Sequence, residues 1–556
     1  MDEGLLLVKP IATHQKLRGG YYTPKRIADF LAQWAIQSPT QEVLEPSCGD
    51  GAILLSAVNR VLELNNHQGP TSQVLVHGVE FDPIEATKAE SQVQAILGAH
   101  PFARVYRGDF FAFCQRCLQE ERLFDTVVGN PPFIRYQNFL EEHRTAAFEV
   151  MHQAGLHPNR LTNAWLPFLV ASTLLLRKRG RIAMVIPAEL LQVDYAAELR
   201  SFLSQQYSKI TLVTFKRLVF EGIQQEVVLL LGERNGDAHT GIRTIELDGL
   251  DDLTLFEHTD FSANQLKPLD HSKEKWTRYF LEPEELGLLR ELELHPKLIS
   301  ASNIIDVDVG IVTGLNEFFV LTQEQVVTHS LEPYTHRIVG RSGHLPGVLF
   351  SELDWKANAA NNHPAFLLRL PDVPFEALPG PAQKYVTMGE EKEINKGYKC
   401  RIRKHWYTVP SVWTPQAFML RQVHAYPKLV VNAAEATCTD TIHRVKLLNG
   451  VAAPTIAAAF LNSLTFAFTE VLGRSYGGGV LELEPREAEK LPLPLLGAEA
   501  LDLNKINDLL LAGKIIEVLD MTDKQLLQDG LGLTASDSKT LRSIWEKLRD
   551  RRINRK

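Results

Sequence analysis

The sequence predicts an α/β fold, with a doubly wound, seven-stranded and mostly parallel sheet in the first half and a mixed α+β domain after it. Short apolar runs alternate with helical periodicity between Lys25 and Gln206, which is typical of parallel strands joined by crossover helices. The last two predicted strands are Ile210–Phe215 and Val227–Leu231. Because a parallel return needs roughly a dozen residues or more, these two strands are expected to pair antiparallel.

Length and composition indicate a globular chain of several domains. The 556 residues exceed one ordinary core, and we predict a division into residues 1–245, 246–495 and 496–556. The apolar patch Leu5–Val8 is too short for a signal-peptide core, so a cytoplasmic location is expected. The cysteines Cys114 and Cys117 have metal-ligand spacing, but no second Cys or His pair follows nearby. Since a structural zinc needs four ligands, no metal site is predicted.

A glycine-bearing turn joins the first predicted strand to a helix. Thr23 is predicted as the N-cap of the preceding helix, with Pro24 as its first residue. The strand Val43–Leu44 then leads through the turn Glu45–Gly51, of sequence Glu-Pro-Ser-Cys-Gly-Asp-Gly, into a helix from Ala52. This arrangement lets a ligand approach backbone amides at a helix N-terminus, although it does not match the dinucleotide fingerprint G-x-G-x-x-G.

Acidic residues follow the next two predicted strands. Glu80 ends the strand Val74–Val79, where a carboxylate is placed to accept both hydroxyls of a ribose. Asp109 follows the short strand Arg104–Tyr106 and is suited to accept from the exocyclic amine of a purine, with Phe110 beside it. A surface glutamate is the alternative interpretation of Glu80.

The fourth strand ends in Asn130-Pro131-Pro132-Phe133. Two prolines cannot continue a central strand, so the chain turns sharply there. The Asn130 side chain and the Pro131 carbonyl offer two acceptors, and Phe133 offers a ring, which together suit a flat group that carries an NH2. An ordinary proline-rich βα turn is the alternative.

In this order, the segments resemble the S-adenosylmethionine-dependent DNA adenine-N6 methyltransferases, in particular their gamma group. The resemblance is good over about residues 15–235 and looser in Val309–Asn316 and Tyr476–Gly479. It implies a class I methyltransferase-like sheet in residues 1–245, a DNA target-recognition domain in 246–495, and a helical tail in 496–556. The implied reaction is methyl transfer to N6 of a flipped-out adenine in a specific double-stranded DNA sequence.

The resemblance also implies roles for single residues. Catalysis is expected from Asn130, Pro131, Pro132 and Phe133, and stacking on the target base from Phe133 and Phe220. The implied cofactor-binding residues are Thr23, Glu45, Cys48, Gly49, Gly51, Glu80, Asp109, Phe110 and Phe168.

The second half carries a basic segment. Between Lys384 and Lys428, nine basic residues stand against three acidic ones in a chain of net charge −8. Cations interleaved with aromatics suit phosphate contact with stacking or wedge insertion, whereas a solvated strand is the alternative. The predicted DNA-binding residues are Lys399, Arg401, Arg403, Lys404, Trp406, Arg474 and Tyr476. The basic tail is expected either to dock on DNA or to brace its domain.

The resemblance implies a monomer in a bacterium or archaeon that protects host DNA from a separate cognate restriction endonuclease. Two other functions are compatible with parts of the pattern. One is an RNA or protein-glutamine methyltransferase, since Asn-Pro-Pro-aromatic is shared with those enzymes. The other is a non-catalytic DNA-recognition subunit with a relic cofactor fold, which the intact set of cofactor residues disfavours.

Overall fold

The computed structural model forms two compact units, the first ending at Phe280 and the second running from Leu281 to Asn554. The residues that the structure describes are 22–66, 74–98, 102–217, 219–220, 226–234, 240–253, 266–269, 274–476 and 478–554.

An eight-stranded sheet organises the first unit. Its strands are β1 (Val43–Glu45), β2 (Val76–Glu80), β3 (Ala103–Arg107), β4 (Phe124–Gly129), β5 (Leu176–Pro187), β6 (Lys209–Phe215), β7 (Val227–Glu233) and β8 (Gly241–Leu247). They lie in the order β3-β2-β1-β4-β5-β7-β6-β8. Five of the seven neighbouring pairs are parallel, and β7 is antiparallel to both β5 and β6. The predicted antiparallel pairing of the last two predicted strands is therefore confirmed.

The sheet has one strand more than the seven predicted. The additional strand β8 pairs in parallel with β6 over its full length. Its sequence Gly-Ile-Arg-Thr-Ile-Glu-Leu mixes polar and apolar residues because it is an edge strand, so it lacks the continuous apolar run that marks the central strands. The predicted boundary after residue 245 falls inside this strand.

The first unit continues beyond β8 to Phe280. A 3-10 helix, Trp276–Phe280, contributes the buried side chains of Trp276 and Tyr279. The Thr244 hydroxyl donates a hydrogen bond of 2.9 Å to the Tyr279 carbonyl oxygen. These contacts attach the segment to β8 and explain why the unit ends later in the sequence than predicted.

The helices of the first unit follow the predicted alternation with strands. They are α1 (Lys25–Ala35), α2 (Ala52–Leu64), α3 (Pro83–Leu97), α4 (Phe110–Gln119), α5 (Glu141–Gln153), α6 (Trp165–Leu174), α7 (Glu189–Gln192) and α8 (Ala197–Gln206). One apolar core joins α1, α2 and α3 to the sheet, for example through Leu31, Leu54 and Val185. This packing fixes the ends of the central strands, where the predicted site residues lie.

The second unit is a mixture of helices and small sheets, with sheets of five, four, three and two strands. Its strands are β9 (Leu298–Ser300), β10 (Ile305–Val309), β11 (Val320–Leu321), β12 (Thr335–Val339), β13 (Leu349–Phe350), β14 (Phe366–Leu368), β15 (Ala417–Leu420), β16 (Gln422–Val423), β17 (Leu429–Asn432), β18 (Thr437–Cys438), β19 (Ile442–Leu447), β20 (Arg474–Tyr476), β21 (Val480–Glu482) and β22 (Pro492–Pro494). Its helices are α9 (Pro283–Glu293), α10 (Asn316–Phe319), α11 (Gln323–Thr328), α12 (Glu352–Ala360), α13 (Gly380–Glu391), α14 (Tyr398–Arg401), α15 (Ala453–Ala459), α16 (Ser463–Leu472), α17 (Pro485–Ala488), α18 (Leu503–Leu511), α19 (Ile515–Thr522) and α20 (Ala535–Ile553), with a π-helix at Asp523–Leu531.

The C-terminal helix α20 braces the second unit. Trp545 is fully buried, and its ring centroid lies 5.1 Å from that of Phe466. The Arg552 guanidinium donates to both carboxylate oxygens of Glu470, at 2.6 and 3.1 Å, with both side chains almost fully buried. The tail predicted as a separate segment from residue 496 is thus part of the second unit, because its apolar face completes that core.

Within the described ranges, no single helix is long and apolar enough to cross a membrane. One pair, Ala453–Ala459 with Ser463–Leu472, meets the length and composition together but is bent by 78°.

Candidate active site

The predicted site residues meet at the carboxyl ends of neighbouring parallel strands. Glu45 ends β1, Glu80 ends β2, and Asn130 follows β4, which pairs with β1. A Cβ atom at Gly129 would lie 3.1 Å from Pro46 Cδ, so glycine allows the catalytic loop to pass close to the turn after β1. The Ser47 hydroxyl also donates to the backbone carbonyl oxygen of Asn130 at 3.4 Å. The structure therefore brings the glycine-bearing turn and the Asn-Pro-Pro-Phe loop together.

A hydrogen bond from Thr23 orients the Asn130 amide. Asn130 Nδ2 donates to Thr23 Oγ1 at 3.1 Å, and the Thr23 side chain is buried. Thr23 is not the N-cap predicted from sequence, because α1 begins at Lys25 with Pro24 in the cap position and no side-chain cap bond. With Nδ2 turned to Thr23, the Asn130 carbonyl Oδ1 points to the opposite side of the amide.

The remainder of the loop is apolar. Pro131 is buried, whereas Pro132 and Phe133 are half-buried. Phe133 packs against the apolar core that contains Phe220, and Phe220 itself is buried. The two aromatic residues predicted to stack on the target base thus belong to one cluster.

The glycine-bearing turn is fastened to the tip of β2. Glu80 Oε2 accepts from the Gly49 backbone N–H and Glu80 Oε1 from that of Asp82, both at 2.8 Å. The Cys48 backbone N–H donates to the Val79 carbonyl oxygen at 2.9 Å, and its side chain is buried. Gly51 has a φ of +99°, and a Cβ there would lie 3.2 Å from Ala89, so both conformation and space require glycine.

Glu45 is the most deeply buried acid of the site. Its side chain is 2% exposed, and Oε2 has no hydrogen-bond partner among the described residues. Burial raises the pKa of the Glu45 carboxyl well above its usual range, and the carboxyls of Glu80 and Asp50 raise it further. Burial also raises the pKa of Glu80. An unsatisfied buried acceptor among carboxyls is suited to a ligand that carries positive charge or hydrogen-bond donors.

Asp109 caps α4 and contacts a histidine that the sequence did not single out. Asp109 Oδ1 accepts from the Ala112 backbone N–H at 2.9 Å, while Oδ2 lies 2.8 Å from His143 Nδ1. Next to Asp109, the rings of Phe110 and Phe168 stack with centroids 5.2 Å apart and planes 16° apart. His143 lies on α5, and nothing in its sequence spacing distinguished it from other polar residues on that helix.

The predicted DNA-binding residues of the basic segment occupy two kinds of environment. Lys399, Arg401 and Lys404 are exposed, whereas the Arg403 guanidinium donates to the carbonyl oxygens of Val312 (3.2 Å) and Thr313 (2.6 Å). The Trp406 indole donates to Glu390 at 3.0 Å. Arg403 and Trp406 therefore hold the segment to its own unit, because their polar groups are engaged there.

The glycine-rich segment near residue 476 is described only in part. Arg474 forms a 2.9 Å ion pair with the buried Glu487. The Tyr476 side chain and Gly477 lie outside the described residues.

The sequence prediction missed two exposed apolar residues in the basic segment. Tyr398 and Ile402 are 65% and 61% exposed. They are four residues apart on α14 and its C-terminal cap, so they share one face of that turn. Exposure, which the sequence does not report, separates them from the similar but packed Trp406.

Metal binding finds no support among the described residues. No group of three or more His, Cys, Asp or Glu side chains there is arranged to hold a metal ion. Cys114 and Cys117 are buried free thiols on α4.

Comparison with known proteins identifies the family. The N-6 DNA Methylase family model matches residues 4–308, and that of the C-terminal domain of the Type II methyltransferase M.Eco57I matches residues 273–527. The chain is 20% identical to the Type II methyltransferase M.AccI of Acinetobacter calcoaceticus and 22% identical to M.XamI of Xanthomonas campestris pv. amaranthicola, each over 88% of both chains.

A solved structure of a restriction-modification enzyme and an RNA methyltransferase also match this chain. The Type IIL restriction-modification enzyme MmeI, solved in complex with DNA, is 12% identical with a TM-score of 0.59, covering 95% of this chain and 75% of its own, and shows the fold. A tRNA1(Val) (adenine(37)-N6)-methyltransferase of Actinobacillus succinogenes is 32% identical, but over only 29% of this chain and 58% of its own. Because the first family model covers more than half of the chain, and Type II methyltransferases match it over most of their length, the protein belongs to the N-6 adenine DNA methylases and is a site-specific DNA methyltransferase.

Proposed function

We propose that Asn130 and Pro131 activate the N6 amine of an adenine flipped out of a specific double-stranded DNA site. The hydrogen bond from Asn130 Nδ2 to Thr23 Oγ1 is the observation that carries this proposal. Because Nδ2 faces Thr23, the side-chain oxygen Oδ1 of Asn130 faces away from Thr23. The Asn130 side chain is thereby presented as an acceptor, as the chemistry requires.

The reaction depends chiefly on positioning. The adenine amine is a poor nucleophile because its lone pair is delocalised into the ring. Acceptance of its two hydrogens by Asn130 Oδ1 and the Pro131 carbonyl oxygen draws the nitrogen toward a tetrahedral geometry and frees the lone pair. Bound S-adenosylmethionine supplies an electrophilic sulfonium methyl group. Holding the acceptors rigidly replaces a strong general base with orientation.

The donor and acceptor set at the strand ends fits S-adenosylmethionine. We propose that Glu80 accepts the ribose hydroxyls and that Asp109 accepts the adenine amine. The buried Glu45, with its unpartnered Oε2, suits the positively charged methionine end together with the turn Glu45–Gly51. Gly49 and Gly51 have positive φ angles that open this turn to a ligand. Cys48, Phe110 and Phe168 are proposed to line the same site.

A target base must leave the DNA stack to reach the Asn-Pro-Pro-Phe loop, because the acceptors lie at the end of a strand and not on a protruding surface. We propose that Phe133 packs on one face of the flipped adenine and Phe220 on the other.

DNA contact is proposed for the exposed part of the basic segment. Lys399, Arg401 and Lys404 form no ion pair with any described acid and are free to meet phosphates. Tyr398 and Ile402 lie among them and are suited to pack against a base step in a groove. Arg474 and Tyr476, in the same domain, remain predicted DNA contacts.

The biological role follows from the relatives. Type II methyltransferases from two bacteria each match 88% of this chain. We propose that the protein acts as a monomer in the cytoplasm and protects host DNA from a separate restriction endonuclease that cuts at the same site.

Methyl transfer from labelled S-adenosylmethionine to duplex DNA tests the catalytic assignment. We expect label on adenine N6, and a loss of about 10²-fold or more in kcat for Asn130→Ala, the order seen when one oriented catalytic dipole is removed. Asn138→Ala is the matched control, because Asn138 is exposed on the same connection. Unchanged transfer by Asn130→Ala would overturn the assignment.

RNA methylation is the second candidate, and only the short match to a tRNA methyltransferase favours it. That match covers only 29% of this chain. Parallel assays with duplex DNA, tRNA and protein acceptors distinguish the candidates, and we expect transfer to duplex DNA alone.

A further inference from the structure

His143 is held against Asp109, the residue proposed to bind the cofactor's adenine amine. Its Nδ1 lies 2.8 Å from Asp109 Oδ2, and the two side chains are 17% and 22% exposed. The imidazole therefore lies in direct polar contact with the carboxylate, in surroundings from which most water is excluded. Such a partner fixes the plane of the carboxyl group.

The Asp109 carboxylate keeps capacity for a ligand. Its two oxygens offer about four lone-pair sites. One oxygen accepts the Ala112 backbone N–H, and the other is in contact with His143 Nδ1. About half of the acceptor sites remain, so an amine hydrogen can be accepted without displacing either neighbour.

A second observation connects His143 to the cofactor site. Its other ring nitrogen, Nε2, is buried without a hydrogen bond among the described residues, since Glu142 Oε1 is 3.7 Å away. Buried polar atoms are normally satisfied, so an unpaired one indicates a place that a ligand or its water completes.

The imidazole also contacts the residue that follows Glu80. The rings of His143 and Phe81 meet edge to face, with centroids 4.6 Å apart and planes 77° apart. Glu80 ends β2, and Asp109 lies two residues after the end of the neighbouring parallel strand β3. One side chain from α5 thus touches the tips of both strands that carry the proposed ribose and adenine ligands.

We propose that His143 is a positioning residue of the adenine subsite, which orients the Asp109 carboxylate to accept the amine of the cofactor. The inference rests on the proposed function, because it takes Asp109 as the adenine ligand. His143 acts through Asp109, and its removal weakens recognition of the amine without altering the Asn130 loop.

Isothermal calorimetry with two ligands tests this inference directly. S-adenosylhomocysteine carries the amine, whereas S-inosylhomocysteine has a carbonyl oxygen in its place. We expect the wild type to prefer the first ligand by about tenfold or more, the order of a hydrogen bond to a charged group. In His143→Ala this preference shrinks severalfold, because the loss of Asp109 orientation affects only the ligand that donates to it.

Conservative variants and a control separate positioning from packing. His143→Asn places a donor near the position of Nδ1 and is expected to restore most of the preference, whereas His143→Gln is not. His152→Ala, an exposed histidine on the same helix, should behave as wild type. In methyl transfer, His143→Ala is expected to raise the KM for S-adenosylmethionine with little change in kcat.

The outcomes are distinct. If His143→Ala lowers affinity for both ligands equally, the residue serves packing alone and the inference is overturned; the same follows if neither affinity changes. If His143→Ala does not fold, the comparison of His143→Asn with His143→Gln decides by the same criterion. Failure of the wild type to bind S-adenosylhomocysteine would instead contradict the proposed function.

Discussion

Replacement of Thr23 by valine distinguishes a catalytic contact from a cofactor contact. Asn130 Nδ2 donates a 3.1 Å hydrogen bond to the Thr23 hydroxyl, although the two residues are 107 positions apart in the chain. Valine keeps the shape of the buried side chain but removes the acceptor. One hydrogen bond contributes about 1 kcal/mol, and release of the amide allows its oxygen and nitrogen to exchange places. We therefore expect kcat to fall about fivefold, since 1.36 kcal/mol corresponds to a factor of ten and about 1 kcal/mol to a factor of about five.

Steady-state methylation of duplex DNA, with S-adenosylmethionine varied, measures this effect. The KM for the cofactor should stay within about twofold of wild type, because the partner of the Thr23 hydroxyl is the Asn130 amide, which is proposed to contact the target base. Thr23→Ser keeps the hydroxyl and should retain most of the activity. A raised cofactor KM with unchanged kcat would refute the reasoning and return Thr23 to the methionine end of the cofactor, where the family resemblance places it.

Two further predictions concern DNA contact and pH. The double variant Tyr398→Ala, Ile402→Ala should weaken binding to the specific duplex about tenfold or more, because stacking against a base contributes about 1–3 kcal/mol. Fluorescence anisotropy measures the affinity, with Leu353→Ala as the control, since Leu353 is also highly exposed in the second unit. Equal affinities of the double variant and the wild type would exclude the contact. For Glu45, burial raises the pKa, so the folded chain binds the proton more tightly than the unfolded chain does and wild-type stability falls as pH rises above the ordinary glutamate value. Glu45→Gln lacks this titration, so it should have a higher thermal stability than wild type at about pH 8 but not at about pH 4.5. The variant should also lose affinity for S-adenosylhomocysteine. A difference in stability between variant and wild type that does not vary with pH would contradict the assignment.

Much of the catalytic half was predictable because its signals are local. Strand ends, the positive-φ glycines of the turn and the two prolines after Asn130 each follow from neighbouring residues. The antiparallel pairing of β6 and β7 followed from the length of one connection. The strand β8 was missed because an edge strand carries a weak apolar pattern.

The candidate DNA surface, by contrast, could be predicted only in part from the sequence. The basic segment was identified from composition, but composition does not separate an exposed cation from a buried one. Arg403 donates to backbone carbonyls of its own unit, and Lys399 is exposed, although both stand in the same short stretch. Packing of the segment decided this difference.

The sequence by itself determined the order of strands, turns and acids, and with it the family and the chemistry, since these depend on periodicity and on residues close together in the chain. The tertiary structure decided the partners of those residues. Thr23 serves Asn130 and not the start of α1, and His143 joins Asp109, because both contacts cross between separate elements. A side chain's hydrogen-bond partner and burial depend on which distant segments pack beside it, and no local pattern records that.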